Sequence, residues 1–239
     1  MKLYNYFSGL GKISVIFALC SVFSIFPARA DLSSDTEDPM FLEAGGDLSS
    51  RTGLDFSHNV ARVTQKVAYG INGNMAFGAD IGYQQDLDGQ DDGFSNVGLN
   101  LMYRSNNGPV KSDLFGGMRF VGDSRVSDFA KNVYYAGVRV GRQWDYITLA
   151  GTVKTSWIFD NLNGMAFIDL SPEVYFRMIE NWSAGVGFTM RKVTNSVLDT
   201  EWVTVKLGRR YGRTMYVGSI NYDLESSDCW FGGNVNVLF

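Results

Sequence analysis

The stretch Met75-Ala-Phe-Gly-Ala-Asp-Ile-Gly-Tyr83 decides the fold, because apolar residues occupy every second position in it. Successive side chains of a β-strand point to opposite faces of the sheet. One face of this strand would carry Met75, Phe77, Ala79, Ile81 and Tyr83, and the other would carry Ala76, Gly78, Asp80 and Gly82. The stretch therefore predicts a strand with one apolar face and one face of small or polar side chains.

The same alternation recurs along the rest of the chain, whereas no helical stripe of useful length follows Asp31. Each segment has roughly the 9–11 residues, or slightly more, that a tilted strand needs to cross a bilayer. The pattern predicts an all-β fold, a transmembrane antiparallel up-and-down β-barrel of about twelve strands, with ten or eight as alternatives. The twelve segments lie near residues 40–50, 57–70, 75–85, 94–104, 110–121, 131–142, 146–158, 165–178, 182–191, 200–210, 213–224 and 229–239.

The connections between these segments alternate in length. Short turns, such as residues 71–74 and 142–145, alternate with longer polar loops, such as residues 86–93 and 122–130. In bacterial outer-membrane barrels the short turns lie in the periplasm and the longer loops lie outside. An even number of strands would place both chain ends at the periplasmic side.

The N-terminus has the features of an export signal. Lys2 and Lys12 precede a mostly apolar stretch of 14 residues at 13–26, which is short for a transmembrane helix. The small-x-small pattern at residues 28–30 predicts cleavage before Asp31. We expect a signal peptide at 1–30, a short, flexible periplasmic lead-in at 31–39 and the barrel at 40–239. Cleavage would leave Cys229 as the one cysteine, so no intramolecular disulfide is expected.

A soluble β-sandwich would also show alternating strands, and the positions of the aromatic residues argue against it. Aromatic girdles at both interfaces are typical of membrane barrels. The alternation of side chains between the two faces predicts one girdle at the periplasmic end of the outer face, from Tyr69, Tyr103, Phe176, Trp182 and Phe239. It predicts a second girdle at the outer end, from Tyr83, Phe120, Tyr134, Trp157, Tyr222 and Phe231.

The final stretch Phe231-Gly-Gly-Asn-Val-Asn-Val-Leu-Phe239 also alternates, and the chain stops on an aromatic residue. Together with the export signal and the alternating strands, this ending resembles that of bacterial outer-membrane β-barrel proteins, over about Met40 to Phe239. The resemblance implies an outer-membrane location, contact with its lipid, and recognition of Phe239 by the barrel-assembly machinery. Twelve-stranded proteins of this class include small porins, autotransporter translocators, omptin proteases and lipid hydrolases, and no subfamily motif is visible here.

The same alternation places charged side chains in the lumen. We expect a positive wall on the fifth to tenth strands, opposite acidic residues from strands one, three and eleven, where Glu43 and Asp47 would face inward on the first strand. Inward glycines would leave space. The predicted pore-lining residues are Arg62, Lys66, Asp80, Arg119, Arg139, Lys154, Asp169, Glu173, Arg177, Arg191, Lys206 and Asp223.

Such a lumen favours a narrow channel for passive diffusion of small hydrophilic solutes, with anions among the candidates. One alternative is a closed structural, adhesive or translocator-like barrel, in which the inward charges pair and fill the lumen. Another is a hydrolase at the outer rim that uses His58, the only histidine. We expect no catalytic residues, because no nucleophile motif accompanies His58. The acidic loop at 86–93 lacks a full calcium pattern, so we expect no metal, and no cofactor or nucleic-acid partner is expected.

Overall fold

The computed structural model describes residues 35–87, 92–106, 108–120, 132–158, 165–194 and 199–239. Within them twelve antiparallel strands form one closed barrel in which each strand pairs with its sequence neighbours. The predicted all-β barrel of twelve strands is confirmed. The strands are β1 (Leu48–Phe56), β2 (Val60–Asn72), β3 (Met75–Asp86), β4 (Asp92–Ser105), β5 (Lys111–Phe120), β6 (Asn132–Gln143), β7 (Ile147–Ile158), β8 (Met165–Arg177), β9 (Trp182–Val193), β10 (Asp199–Tyr211), β11 (Thr214–Asp223) and β12 (Cys229–Leu238).

The last strand closes the barrel against the first. β1 and β12 pair from Ser49 opposite Leu238 to Phe56 opposite Phe231. At the end of this seam the backbones of Leu48 and Phe239 exchange two hydrogen bonds, with N···O distances of 3.3 and 2.7 Å. Phe239 therefore completes the ladder, and the twelve described strands leave no open sheet edge among them.

The two ends of the barrel differ. We call the end where β1 begins and β12 finishes the terminal rim; it carries the short turns, including a single 3₁₀ turn at Ile179–Asn181. We call the opposite end the loop rim; it carries residues 57–59 and 224–228 and the longer connections that lie partly or wholly outside the described residues. Among the residues that the structure describes, no helix is long and apolar enough to cross a membrane.

The outer face of the barrel is apolar along its middle and aromatic near its rims. Mid-strand side chains such as Ile81, Val153 and Val205 are exposed on it. Exposed aromatic side chains lie near both rims, as the girdle prediction requires: Tyr69, Tyr103 and Phe176 near the terminal rim, and Phe120, Tyr134, Trp157, Tyr222 and Phe231 near the loop rim. An outer surface of this kind suits contact with lipid hydrocarbon and its two interfaces.

The first strand lies elsewhere than the sequence predicts. The prediction of a strand at residues 40–50 is wrong, because β1 covers Leu48–Phe56. Glu43 and Asp47 therefore precede β1, although the Glu43 side chain still lines the lumen and accepts a hydrogen bond from the Ser49 hydroxyl at 2.6 Å. Alternation fails here because the outer face of β1 carries the polar residues Ser50 and Thr52, whose hydroxyl groups both bond to the Gln65 side chain of β2.

The lead-in also differs from its prediction. Residues 36–40 are buried inside the barrel at the terminal rim, where a flexible periplasmic segment was expected. The predicted signal peptide at 1–30 lies outside the described residues. The second strand begins at Val60, three residues after the predicted start, and the other strands lie close to their predicted positions.

Replacing Val153 by Arg tests whether the outer face contacts hydrocarbon. Val153 lies halfway along β7 with its side chain exposed. Val153→Arg should therefore destabilise the barrel folded in lipid vesicles, relative to the unfolded chain, by about 2–4 kcal/mol. The matched variant Ile147→Arg, at the first residue of β7, should cost only about 0–1 kcal/mol, because an arginine there reaches the interface. Denaturant titration of both proteins in vesicles measures this difference. Equal costs would contradict a membrane-buried midline.

Candidate functional site

The inner face of the barrel is polar and carries more basic than acidic side chains. Strand alternation and register place one set of side chains on this face throughout. The basic residues on it are Arg51, Arg62, Lys66, Arg104, Lys111, Arg119, Arg139, Lys154, Arg177, Arg191, Lys206 and Arg210. The acidic residues on it are Asp55, Asp80, Asp86, Asp113, Asp169, Glu173 and Asp223. The lumen wall therefore carries net positive charge.

Asp169 is the centre of one charge cluster in the loop-side half of the lumen. Its carboxylate accepts two hydrogen bonds from Arg191 of β9, at 2.7 and 3.1 Å, and lies 3.0 Å from the Lys154 ammonium of β7. The Arg191 guanidinium also lies over the rings of Phe167 and Trp202, 4.9 and 5.3 Å from their centroids. Two cations on one carboxylate leave net positive charge at this level.

The other predicted acidic residues also sit beside basic ones. Asp80 lies 3.4 Å from Arg119 and accepts a hydrogen bond from the Asn96 amide, and Glu173 accepts one from Lys206 at 2.8 Å. The prediction of a positive wall facing an acidic wall is therefore wrong. Pairing on adjacent or nearby strands is favoured because oppositely charged groups a few ångströms apart attract far more strongly than groups across a water-filled lumen.

The remaining predicted lining residues have other surroundings. Arg62 donates to the Gln84 side chain at 2.7 Å, near the loop rim. Lys66 lies on the inner face of β2 between Arg51 and Asp80, its partners in register. Asp223 accepts hydrogen bonds from the backbone N–H groups of the β11–β12 turn. Its carboxylate therefore holds this turn at the loop rim.

Two cavities lie end to end in the lumen. The loop-side cavity, about 310 Å³, is bordered by Lys154, Asp169, Arg191 and Trp202. The second, about 220 Å³, has residues 36–39 among its lining. Arg139, Glu173 and Lys206 line both cavities, so these three side chains mark the level at which the two adjoin. The lumen is therefore narrow but not filled.

Inward glycines do less to widen the lumen than the sequence predicts. A Cβ on Gly137 of β6 would lie 2.4 Å from the Phe115 ring, so this glycine provides room for the aromatic side chain of the neighbouring strand β5. At Gly185 and Gly187 added Cβ atoms would make only ordinary contacts beyond 3.6 Å. Space for solute is therefore left mainly on the β9 side, next to the larger cavity.

Several charged residues of the lumen were missed by the sequence analysis. Arg104 and Asp113 face each other across the β4–β5 hairpin and form a bidentate ion pair at 2.6 and 2.7 Å, with side chains 6% and 0% exposed. Both residues lie within the predicted segments 94–104 and 110–121, so the period of two could have placed them inside. Arg51 and Arg210 were missed because the first strand was misplaced and because Arg210 lies near a strand end.

Residues outside the lumen offer little chemistry. His58 lies in the exposed turn between β1 and β2, bonded to the neighbouring Asn59 side chain, and no described carboxylate forms an ion pair with it. Cys229 is exposed with a free thiol. Within the described ranges, no three His, Cys, Asp or Glu side chains are grouped to hold a metal ion. Asp88 to Asp91 of the acidic loop lie outside those ranges.

No protein-family model matches the sequence, and no curated protein matches it. Among solved structures, the barrel is similar to the KdgM porin, with a TM-score of 0.63 at 10% identity over 79% of this chain and 98% of that chain. The NanC porin gives 0.62 at 10% identity, over 80% and 98%. The COG4313 outer membrane channel from Pseudomonas putida F1 gives 0.58 at 9% identity, over 86% and 100%. The chain therefore has the fold of small outer-membrane barrels.

Asp113→Asn tests how strongly the buried pair with Arg104 stabilises the barrel. The change leaves a buried guanidinium without its counter-charge, so the free energy of unfolding should fall by about 3 kcal/mol. Asp199→Asn is the matched control, because Asp199 pairs with Lys192 at 3.8 Å near the loop rim with both side chains largely exposed. It should cost less than about 1 kcal/mol. Unfolding in urea, followed by tryptophan fluorescence, compares the two, and equal losses would contradict the assignment.

Proposed function

We propose that the protein is a narrow channel through which small hydrophilic solutes diffuse passively across the outer membrane, with anions favoured over cations. The observation that carries this proposal is the lumen itself. A closed barrel with an apolar outer face encloses two adjoining cavities, and the larger, loop-side cavity is lined by four basic and two acidic side chains. Charged groups that line a confined polar passage select ions by their sign.

The size of the barrel and its structural neighbours support the same proposal. Eight-stranded barrels are just filled by side chains and sixteen-stranded ones leave a wide channel, so twelve strands fit a narrow one. Two of the solved barrels that share the fold are named as porins and one as an outer-membrane channel. Their identities of 9–10% carry the fold, and the function of this chain is inferred from its own lumen.

The outer membrane is the proposed location, reached after removal of the signal peptide at 1–30. The apolar outer band, the two aromatic girdles and the terminal-rim position of both chain ends support it. We also propose that the barrel-assembly machinery recognises the β12 strand through Phe239, whose backbone closes the seam with Leu48. The terminal rim would then face the periplasm and the loop rim the outside.

A catalytic role at the rim is not part of the proposal. The hydrolase hypothesis requires acidic partners beside His58, and the His58 ring instead contacts Asn59 in an exposed turn. A His58→Ala variant should therefore conduct as the parent protein does. It should also leave lipid and peptide composition of the membrane unchanged, as measured by mass spectrometry.

Planar-bilayer recording of the refolded protein tests the channel. We expect channel openings, and under a salt gradient a reversal potential that indicates anion preference. Complete silence of a protein shown to be folded, with no opening at any voltage, would contradict the proposal and favour a closed structural or adhesive barrel.

Lys154→Gln tests the assigned role of the basic lining. Lys154 shares Asp169 with Arg191, so its removal leaves that carboxylate paired and lowers the positive charge beside the larger cavity. A unit charge about 7 Å from a permeating ion attracts an anion and repels a cation by ~0.6 kcal/mol each even at the dielectric constant of water, so the anion-to-cation permeability ratio should fall about sevenfold. Lys192→Gln, on the outer face of β9, should leave the ratio unchanged. Equal ratios in parent protein and both variants would contradict the role of Lys154.

A further inference from the structure

We infer that residues 35–47 form an electrostatic plug that closes the lumen at the terminal rim, and that its withdrawal opens the channel. We call these residues the N-terminal plug. This inference rests on the proposed channel function and adds to it an element that controls conductance. The segment lies inside the lumen, and side-chain contacts rather than strand pairing hold it there.

The acidic side chains of the plug occupy a ring of wall arginines. Asp35 lies 2.8 Å from Arg210 and 3.5 Å from Arg177, and it accepts a hydrogen bond from the Tyr175 hydroxyl at 2.9 Å. Glu37 lies 2.6 Å from Arg51. These contacts connect the plug to β1, β8 and β10, which lie on different sides of the lumen.

Asp38 and Pro39 extend the contacts to two further strands. The Asp38 carboxylate is 2.5 Å from Arg177 and accepts a hydrogen bond from the Thr148 hydroxyl of β7 at 2.7 Å. Arg139 of β6 donates to the Pro39 carbonyl oxygen at 2.7 Å. Because its partners stand around the barrel, the segment crosses the lumen and forms the floor of the 220 Å³ cavity.

The wall is shaped to receive the plug. Met40 is 1% exposed and lies against Gly141, where a Cβ would come within 2.6 Å of its sulfur. Close to the start of β1, a Cβ on Gly70 would lie only 1.9 Å from the Ala44 carbonyl oxygen. Gly70 is therefore required for the segment to sit where it does, and Gly141 leaves room for the Met40 side chain.

The plug is held by side chains and not by a strand ladder. Its first turn is bonded within itself, from the N–H of Asp38 to the Asp35 carbonyl and from the N–H of Phe41 to the Asp38 carbonyl. The described backbone bonds between plug and wall involve only Gly70, with Gly46 and Asp47. Residues 35–41 could therefore leave the lumen without breaking any described strand pairing. The chain would turn near Gly46, which has φ +92° and where an added Cβ would meet no atom within 4 Å.

The charge balance favours reversible binding. The plug brings carboxylates to Arg51, Arg177 and Arg210 of the wall. Withdrawing the plug would expose these cations at the terminal rim, where they would add to the positive lining of an open channel. The same contacts that close the channel therefore mask a basic site that anions would otherwise meet.

The test is the conductance of the triple variant Asp35→Asn/Glu37→Gln/Asp38→Asn, in the full-length mature protein refolded and recorded in planar bilayers. Neutral side chains keep the volume of the plug but remove its charge, so we expect at least a twofold rise in mean conductance or open probability. The matched control is Asp199→Asn/Glu201→Gln/Glu225→Gln, which changes the net charge equally at the loop rim and should leave conductance at the parent value.

A disulfide variant separates withdrawal of the plug from a change of charge. The side chains of residues 38 and 148 touch, so Asp38→Cys/Thr148→Cys, made with Cys229→Ser, should cross-link the plug to β7 on oxidation. Conductance should be low in the oxidised protein and rise on addition of reductant. Asp38→Cys/Cys229→Ser without the second cysteine should not respond to reductant.

The outcomes distinguish the two proposals. A parent protein that conducts as well as the triple variant, with no effect of the cross-link, would overturn the plug and leave the channel standing. Silence of every variant, including the reduced one, would overturn both, because withdrawing the plug would then open nothing.

Discussion

The structure depends on one constraint, that every backbone N–H and C=O group facing hydrocarbon must be bonded within the protein. Pairing of β1 with β12, completed by the two bonds between Leu48 and Phe239, helps to meet that constraint by leaving no open edge among the described strands. Closure also separates the two faces of the sheet. Apolar side chains are directed to the lipid and all inward side chains share one narrow space, so the chemistry of the protein is concentrated in the lumen.

Confinement then decides how the inward charges are arranged. In a narrow lumen isolated charges are costly, and Asp80, Asp113, Asp169 and Glu173 each lie beside a basic side chain, while Asp223 accepts hydrogen bonds from backbone N–H groups. Asp169 has two such neighbours, whereas Asp113 has a single bidentate partner and no exposure to solvent. The first arrangement leaves positive charge beside a cavity, and the second fixes a hairpin. The ion pairs of Asp169 therefore affect the charge that a solute meets, whereas the ion pair of Asp113 stabilises the barrel.

The acidic N-terminal plug binds where the wall of the lumen carries basic side chains. Arg51, Arg177 and Arg210 would face one another across the terminal end of the lumen if the plug carboxylates were removed. Repulsion among them is relieved by a short acidic segment that precedes β1 in the chain and therefore reaches them at small entropic cost. Solute selectivity and closure would in this way depend on the same positive charge.

The sequence by itself determined the twelve-stranded barrel, the apolar outer face, the aromatic girdles and the inward direction of most charged residues, because these follow from a period of two that each strand carries locally. The polar residues Ser50 and Thr52 lie on the outer face of β1 and interrupt the apolar alternation, so the position of this strand was predicted wrongly. Only the tertiary structure decided which charges pair, how Phe115 uses the room at Gly137, and that Asp35 to Met40 enter the lumen. Those contacts join residues far apart in the chain, and their energies depend on distances that exist only after the barrel has closed.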